Sequence, residues 1–503
     1  MIRKILKGVG ITLAAAVVVA AGLYLLGLRV VVDGGGGLHL QFVKSAEARA
    51  AELARHREAQ RAQAQTAAPS APAAPAAPSA PAPDAGASSG AADVRPGVVL
   101  PDLEPLAASA ARAADPGRAY WTNFRGPRRD GHYTEQPILT EWPAGGPKPA
   151  WKQPVGGGYA SFVIAGGRAF TIEQRSAEEV VAAYDVATGR ELWTNAWPAL
   201  FKEMMGGDGP RATPTWADGR VFALGAQGEL RAIDDATGKT VWRTNILQDA
   251  GARNLQWGMS AAPLVVDHTV VVLPGGGNGR SVVAYDRASG KQVWAALDDQ
   301  QSYSSPMLVT LGGVRQILVF SAPRLLGLAT DGSKVLWEHP WRTEYDVNAS
   351  QPLVLGDNRL FVSTGYGKGA AVLELTPSGD GLSVREVWRN IRMKNQFTSS
   401  VLHEGYIYGL DESILACVDA ATGDLKWKGG RYGYGQLVLA GGHLIVLTED
   451  GNVALVQATP ERHVEKVRFP VLEGKTWNHP AMAGGFLLVR NLAEMAAFDL
   501  RVR

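Results

Sequence analysis

Residues 183–193 read AYDVATGRELW, and three later segments repeat the wording: AIDDATGKTVW at 232–242, AYDRASGKQVW at 284–294 and CVDAATGDLKW at 417–427. In all four an Asp stands eight residues before the closing Trp (Asp185, Asp234, Asp286, Asp419), and a Gly stands four before it (Gly189, Gly238, Gly290, Gly423). Weaker copies end at Trp337 (LATDGSKVLW) and Trp388 (SVREVW), and Phe469 takes the aromatic position in EKVRF. A unit recurring every 39 to 52 residues, from Trp193 to Trp427, means a repeat architecture.

Working outward, each copy closes a run of short strands. A small-residue segment such as SAAPLVV (from Ser260) is followed by a run leaving a Gly or Asp turn, such as DGRVFALG (from Asp218). Then come A-[YI]-D, the turn D-x-A-[ST]-G and a strand carrying the Trp. The Asp carboxylate suits backbone amides two residues on, and the Gly suits positive φ. Alternating apolar residues fit half-buried strands, and no helical period of useful length intervenes. Four strands in this length make a propeller blade.

Trp151 (GPKPAWKQPV) has no strand set before it, whereas the chain end from Trp477, WNHPAMAGGFLLVRNLAEMAAFDL, supplies only three strands. Pairing the two predicts an all-β, eight-bladed propeller over 148–503, closed by its N- and C-terminal strands so that no sheet edge is left open. Trp151, Trp193, Trp242, Trp294, Trp337, Trp388 and Trp427 are read as structural wedges between blades, since each buries about 150–250 Å².

Ahead of the ring, Arg3, Lys4 and Lys7 precede an uncharged run from Gly8 to Leu28. Its 21 residues at about 1.5 Å each reach about 30 Å. This predicts a cytoplasmic tip and single transmembrane helix over 1–32, in a bacterial inner membrane, with the propeller on the periplasmic or outer side. A cleaved signal peptide is the alternative. A lipid-modified cysteine is excluded, because the sole cysteine is Cys417. Residues 33–65 read as a polar stalk without an apolar stripe. Residues 66–118 are an Ala/Pro-rich linker with Pro69, Pro72, Pro75, Pro78 and Pro81 at the polyproline period. Residues 119–147 form a lead-in packing on the propeller.

Residues 1–65 carry nine Lys and Arg against four Asp and Glu, a net +5 in a chain of net +2, so 66–503 carry −3. The basic excess thus lies outside the ring, and no basic run with interleaved aromatics marks a nucleic-acid surface. Gly275, Gly276 and Gly277 lack the helix that a phosphate cradle requires. His268, His339, His403, His443 and His479 fall in separate repeats, without metal-ligand spacing.

The unit A-[YI]-D-x-A-[ST]-G-[RK]-x-[VL]-W resembles the repeat of the pyrroloquinoline-quinone-like (PQQ-like) propellers. That superfamily holds both quinoprotein dehydrogenases and the non-catalytic BamB-like lipoproteins of outer-membrane barrel assembly. The lead-in WTNFRGPRRDGHY, with Trp121, Arg125, Gly126 and Pro127, resembles a segment ahead of many bacterial propellers of this type. The dehydrogenase branch implies a quinone held between a Trp and a disulfide of adjacent cysteines, beside calcium and a catalytic Asp. One cysteine cannot supply that disulfide, and no C-x-x-C-H haem site occurs. The chain departs from the BamB-like branch in having an apolar run where a lipid-modified cysteine would stand, and a long spacer. A complete propeller, that spacer and no recognisable chemistry predict a membrane-anchored, non-catalytic scaffold that binds cell-envelope proteins and needs no cofactor. The alternatives are a quinone- and Ca²⁺-dependent dehydrogenase with a divergent pocket, and a sugar- or peptide-sensing module.

Ligands of propellers meet the channel mouth, and the residues just before each first strand ring it. They are Tyr159, Arg211, Trp257, Tyr303, Asn348, Gln396, Tyr434 and His479. Aromatics, amides and one Arg in a concave opening suit a small molecule or an extended peptide. Loops 205–213 (MGGDGPRAT) and 252–259 (ARNLQWGM) are long enough to adapt to a partner.

Overall fold

The computed structural model describes residues 27–67 and 120–502, together with 19 and 22–24. Eight sheets, each contributing four blade strands, form the ring. Blade 1 runs from Val163–Ala165 to Glu191–Pro198, and blade 2 from Thr215–Ala217 to Thr240–Asn245. Blades 3 to 6 end in Gln292–Ala296, Val335–Pro340, Gly381–Asn390 and Leu425–Arg431, and blade 7 in Glu465–Pro470. Blade 8 takes three strands from the C-terminus and its fourth from Trp151–Pro154, with Trp151 opposite Ala497 and Lys152 opposite Ala496. The seam is well packed: one buried cluster joins Val438 and Leu455 of blade 7, Leu488 and Phe498 of blade 8, and Ile164 and Tyr184 of blade 1.

The repeated wording is the joint between neighbours. Asp185 Oδ1 accepts bonds from Thr188 N at 2.8 Å and Thr188 Oγ1 at 2.7 Å, and Asp234 and Asp286 do the same with Thr237 and Ser289. In these three copies the amide bonded is three residues on, whereas Asp419 accepts from the amide two residues on, Ala421 N at 2.9 Å, as well as from Thr422 N at 3.1 Å. The turn closes through Gly238, at φ 72°, where the ring of Trp193 from the preceding blade lies so close that a Cβ would meet it at 2.7 Å. The same Trp donates Nε1–H to Asp235 O at 2.9 Å, and Trp151, Trp242, Trp388 and Trp427 repeat the bond onto Val186, Arg287, Ala420 and Thr459. A β-bulge at the residue before the Trp, such as Val241, turns the indole toward the next blade. Trp337 departs from the rule and donates to Gln316 of its own blade. Blade 5, its neighbour, replaces the short turn with two ten-residue strands, Gly369–Ser378 and Gly381–Asn390.

The lead-in does more than lie against the ring. Tyr120–Trp121 adds an edge to the innermost strand of blade 1, and His132–Tyr133 pairs in parallel with Leu439–Ala440 of blade 7. Between them the chain crosses the axis and carries two buried arginines. Arg129 donates to Pro306 O at 2.7 Å and Pro263 O at 2.5 Å, while Arg125 donates to Ser400 O at 2.7 Å. One end of the channel is therefore filled by the chain itself.

The N-terminal region corrects the sequence expectation. Most of the apolar run 8–28 lies outside the described residues, as does the Ala/Pro linker. No helix among the described residues is long and apolar enough to cross a membrane. The last residue of the run, Leu28, instead opens strand β1, Leu28–Val32, which pairs antiparallel with β2, Leu38–Phe42. The transmembrane helix, the single-pass anchoring and the inner-membrane location deduced from it therefore lose their structural basis. The polar stretch that follows forms helix α1, Ala46–Ala67, which docks on the closing strand. His56 Nε2 and Gln153 Oε1 lie 2.9 Å apart, and the buried Arg57 donates to Pro154 O at 3.2 Å and faces the Tyr184 ring at 4.9 Å. Polar contacts replace the apolar stripe the helix lacks.

Candidate functional site

First strands are innermost and run along the axis, so the residues preceding them gather at one end. There they line a cup of about 770 Å³, opposite the end filled by the lead-in. Seven of the eight expected mouth residues border it: Tyr159, Arg211, Trp257, Tyr303, Gln396, Tyr434 and His479. Asn348 does not. Its amide is fully buried between blades 4 and 5, donating to Ser321 O at 2.8 Å and accepting from Thr364 Oγ1 at 3.2 Å. Tyr345 and Tyr366 present the neighbouring surface instead.

Aromatic pairs follow one another around the wall. Tyr159 and Trp477 lie 5.2 Å apart, Trp257 and Tyr303 5.5 Å, Phe397 and Trp477 4.7 Å, and Phe397 and Tyr434 5.7 Å. Burial raises the phenols of Tyr303 and Tyr434 to about 12, so they remain neutral donors at physiological pH. The Arg211 guanidinium donates to Gly209 O at 2.5 Å and Gly207 O at 2.7 Å, fixing loop 205–213. At the base, His479 is held neutral, pushed down to about 3 by burial with the Arg125 charge adding to the effect. Its Nδ1–H donates to Pro480 O at 2.6 Å, and its edge meets Phe124 of the lead-in at 5.6 Å.

Two polar groups at the mouth were missed by counting only first strands. Glu449 Oε1 accepts from Trp477 Nε1 at 2.8 Å, and its Oε2 accepts from Tyr434 N at 3.1 Å. Lys475 lies 4.2 Å from the Trp477 ring, its ammonium disfavoured by burial. Antiparallel alternation supplies the signal that would have found Glu449. A second strand ends where the first began, so the turn after His443–Leu447 also reaches the mouth.

These groups hold polypeptide backbone from the far end of the sequence. Val32 to Gly36, at the tip of the β1–β2 hairpin, border the same cup. Gly34 N donates to Glu449 Oε1 at 2.7 Å, Gln396 Nε2 donates to Gly34 O at 2.6 Å, and Lys475 Nζ donates to Val32 O at 3.0 Å.

Comparison with known proteins places this geometry. A family model described as "Outer membrane protein assembly factor BamB" matches residues 177–429. The crystal structure of BamB from Moraxella catarrhalis is similar over 70% of this chain and 99% of that one, at 16% identity and a TM-score of 0.51. Quinohemoprotein alcohol dehydrogenase from Comamonas testosteroni is similar over 80% of this chain and 83% of its own, at 13% identity and a TM-score of 0.56. A europium-containing methanol dehydrogenase gives 76% and 98%, at 14% identity and a TM-score of 0.54. At these identities the likeness is one of fold. No curated protein matches the sequence.

The residues do not fit a quinone with its metal. Cys417 is buried within blade 6, its thiol pushed up to about 12, and a lone thiol makes no disulfide platform. Among the described residues no group of three His, Cys, Asp or Glu side chains is placed to hold a metal ion.

Proposed function

The chain belongs to the family of PQQ-like propellers described by the outer membrane protein assembly factor BamB, and from that premise we propose that it is a non-catalytic scaffold that binds protein segments at one ring face. The observation that carries this reading is the hairpin tip seated at the border of the cup, where Glu449, Gln396 and Lys475 bond its main-chain atoms. Main-chain recognition between aromatic walls is how a surface takes hold of polypeptide. The Arg211 guanidinium is engaged with the Gly207 and Gly209 carbonyls, and His479 is held neutral by burial.

The family description makes cell-envelope proteins the first set to test. Immobilised full-length protein should retain specific envelope proteins. The Trp257→Ala/Tyr345→Ala double variant should lose at least about ten-fold of that retention, since central aromatics dominate such surfaces. Equal retention by both proteins, or none by the unaltered one, would refute the reading.

A further inference from the structure

The tip sequence Asp33–Gly37 is D-G-G-G-G, and its fit in the cup depends on the absence of side chains. A Cβ on Gly34 would stand 2.3 Å from Tyr434 Cγ, and one on Gly35 would stand 3.0 Å from Tyr434 Oη. The loop is preformed. Asp33 Oδ1 accepts from Gly35 N at 2.9 Å and Gly37 N at 2.6 Å, and Gly36 N donates to Asp33 O at 3.0 Å. Its receptor is also preformed, because Glu449 is fixed by Trp477 and Tyr434 independently of the tip.

The rest of the hairpin is held loosely. Val30, Leu38, Leu40 and Phe42 are 62–72% exposed. A two-stranded hairpin is at best marginally stable alone, so the tip contacts are its main anchor. The hairpin is also tethered. Only residues 43–45 separate β2 from α1, which is docked on the closing strand. Tethering through so short a link gives an effective concentration on the order of millimolar.

We propose that the cup is a receptor for glycine-rich polypeptide turns, and that the β1–β2 hairpin is a displaceable internal ligand holding the receptor closed. The ligand class is a solvent-exposed loop with consecutive glycines, presenting one amide to Glu449 and one carbonyl to Gln396. This rests on the protein-binding reading above and adds both the chemistry of the partner and the gate. A partner enters by competing with the tip, so its affinity is lowered by the tether until the hairpin withdraws.

The test uses full-length protein and a fluorescein-labelled synthetic peptide, VVDGGGGLH, copied from residues 31–39. Gly34→Val should expel the tip, seen as faster hydrogen exchange at residues 28–42. It should also bind the peptide at least ten-fold more tightly than the unaltered protein, by anisotropy. Adding Gln396→Ala should reverse most of that gain, and a peptide with Val in place of the second tip residue should bind neither protein. In the unaltered protein, millimolar unlabelled peptide should accelerate exchange of the hairpin amides. The proposal is overturned by a hairpin still protected in Gly34→Val, by equal peptide affinity of the two proteins, or by hairpin exchange indifferent to the peptide. If envelope partners are still retained in that case, the scaffold reading survives without the gate; if retention fails as well, both fall.

Discussion

Gly238 carries two separate demands. Its φ of 72° belongs to the left-handed region, and the Trp193 ring occupies the space a side chain would need. Gly219, at φ 77°, has the first demand without the second, since nothing lies within 4 Å of its absent Cβ. Gly219→Ala should therefore cost about 1 kcal/mol for the backbone alone. Gly238→Ala should cost roughly 2–3 kcal/mol, because the Trp must also leave its bond to Asp235. Paired denaturant titrations read the difference directly. Glu179 offers a test by pH. Its carboxyl is fully buried where blade 1 meets blade 2, accepting from Ala226 N at 2.8 Å and Trp197 Nε1 at 3.1 Å. Burial pushes it up to about 7, although both bonds oppose the shift. The folded chain then holds this proton more tightly than the unfolded chain. The stabilising contribution is complete below the unfolded carboxyl value and disappears as pH rises through about 7. Glu179→Gln keeps an acceptor and removes the charge. It should gain on the order of 2 kcal/mol over the parent at pH 8 and nothing at pH 4, by thermal unfolding at both pH values.

The lead-in joins parts of the ring that share no strand. Arg129 gathers the carbonyls of Pro263 and Pro306, which precede blades 3 and 4, and touches Thr215 of blade 2 at 3.4 Å. Arg129→Ala would leave several buried acceptors unmatched. It should lower unfolding stability by about 3 kcal/mol, measured by the urea midpoint with an unchanged slope. The sequence indicated that this segment packs on the propeller but not that it enters the axis, because an Arg binding carbonyls leaves no charge partner to read. Repeats were legible for the opposite reason: Asp, Thr, Gly and Trp each satisfy a local requirement, and that requirement returns with every blade. The docking of helix α1, and not its helical composition, escaped the reading, because it uses His56, Arg57 and Gln60, residues that composition assigns to water. The hairpin escaped because the sequence reading gives Leu28–Val32 to the anchor and Leu38–Phe42 to the polar stalk, so the two strands are never read as a pair.

For the whole molecule, closure by Trp151–Pro154 leaves blade 8 without a free fourth-strand edge, and the N-terminal segments are arranged over that seam. The eight-fold count and the pairing of both chain ends followed from the unmatched Trp151 and the three-stranded terminus. The mouth was partly legible: seven residues that precede first strands border the cup, while Asn348 turns inward. What no repeat could show is that remote segments occupy both ends of the ring's axis. Phe124 and the arginines of the lead-in stop one end, so the molecule is a blind vessel and not a conduit. Cargo has a single door, used for arrival and departure alike. Whatever governs that door sets residence time as well as admission, and a visitor that has seated itself keeps the hairpin from returning until it goes.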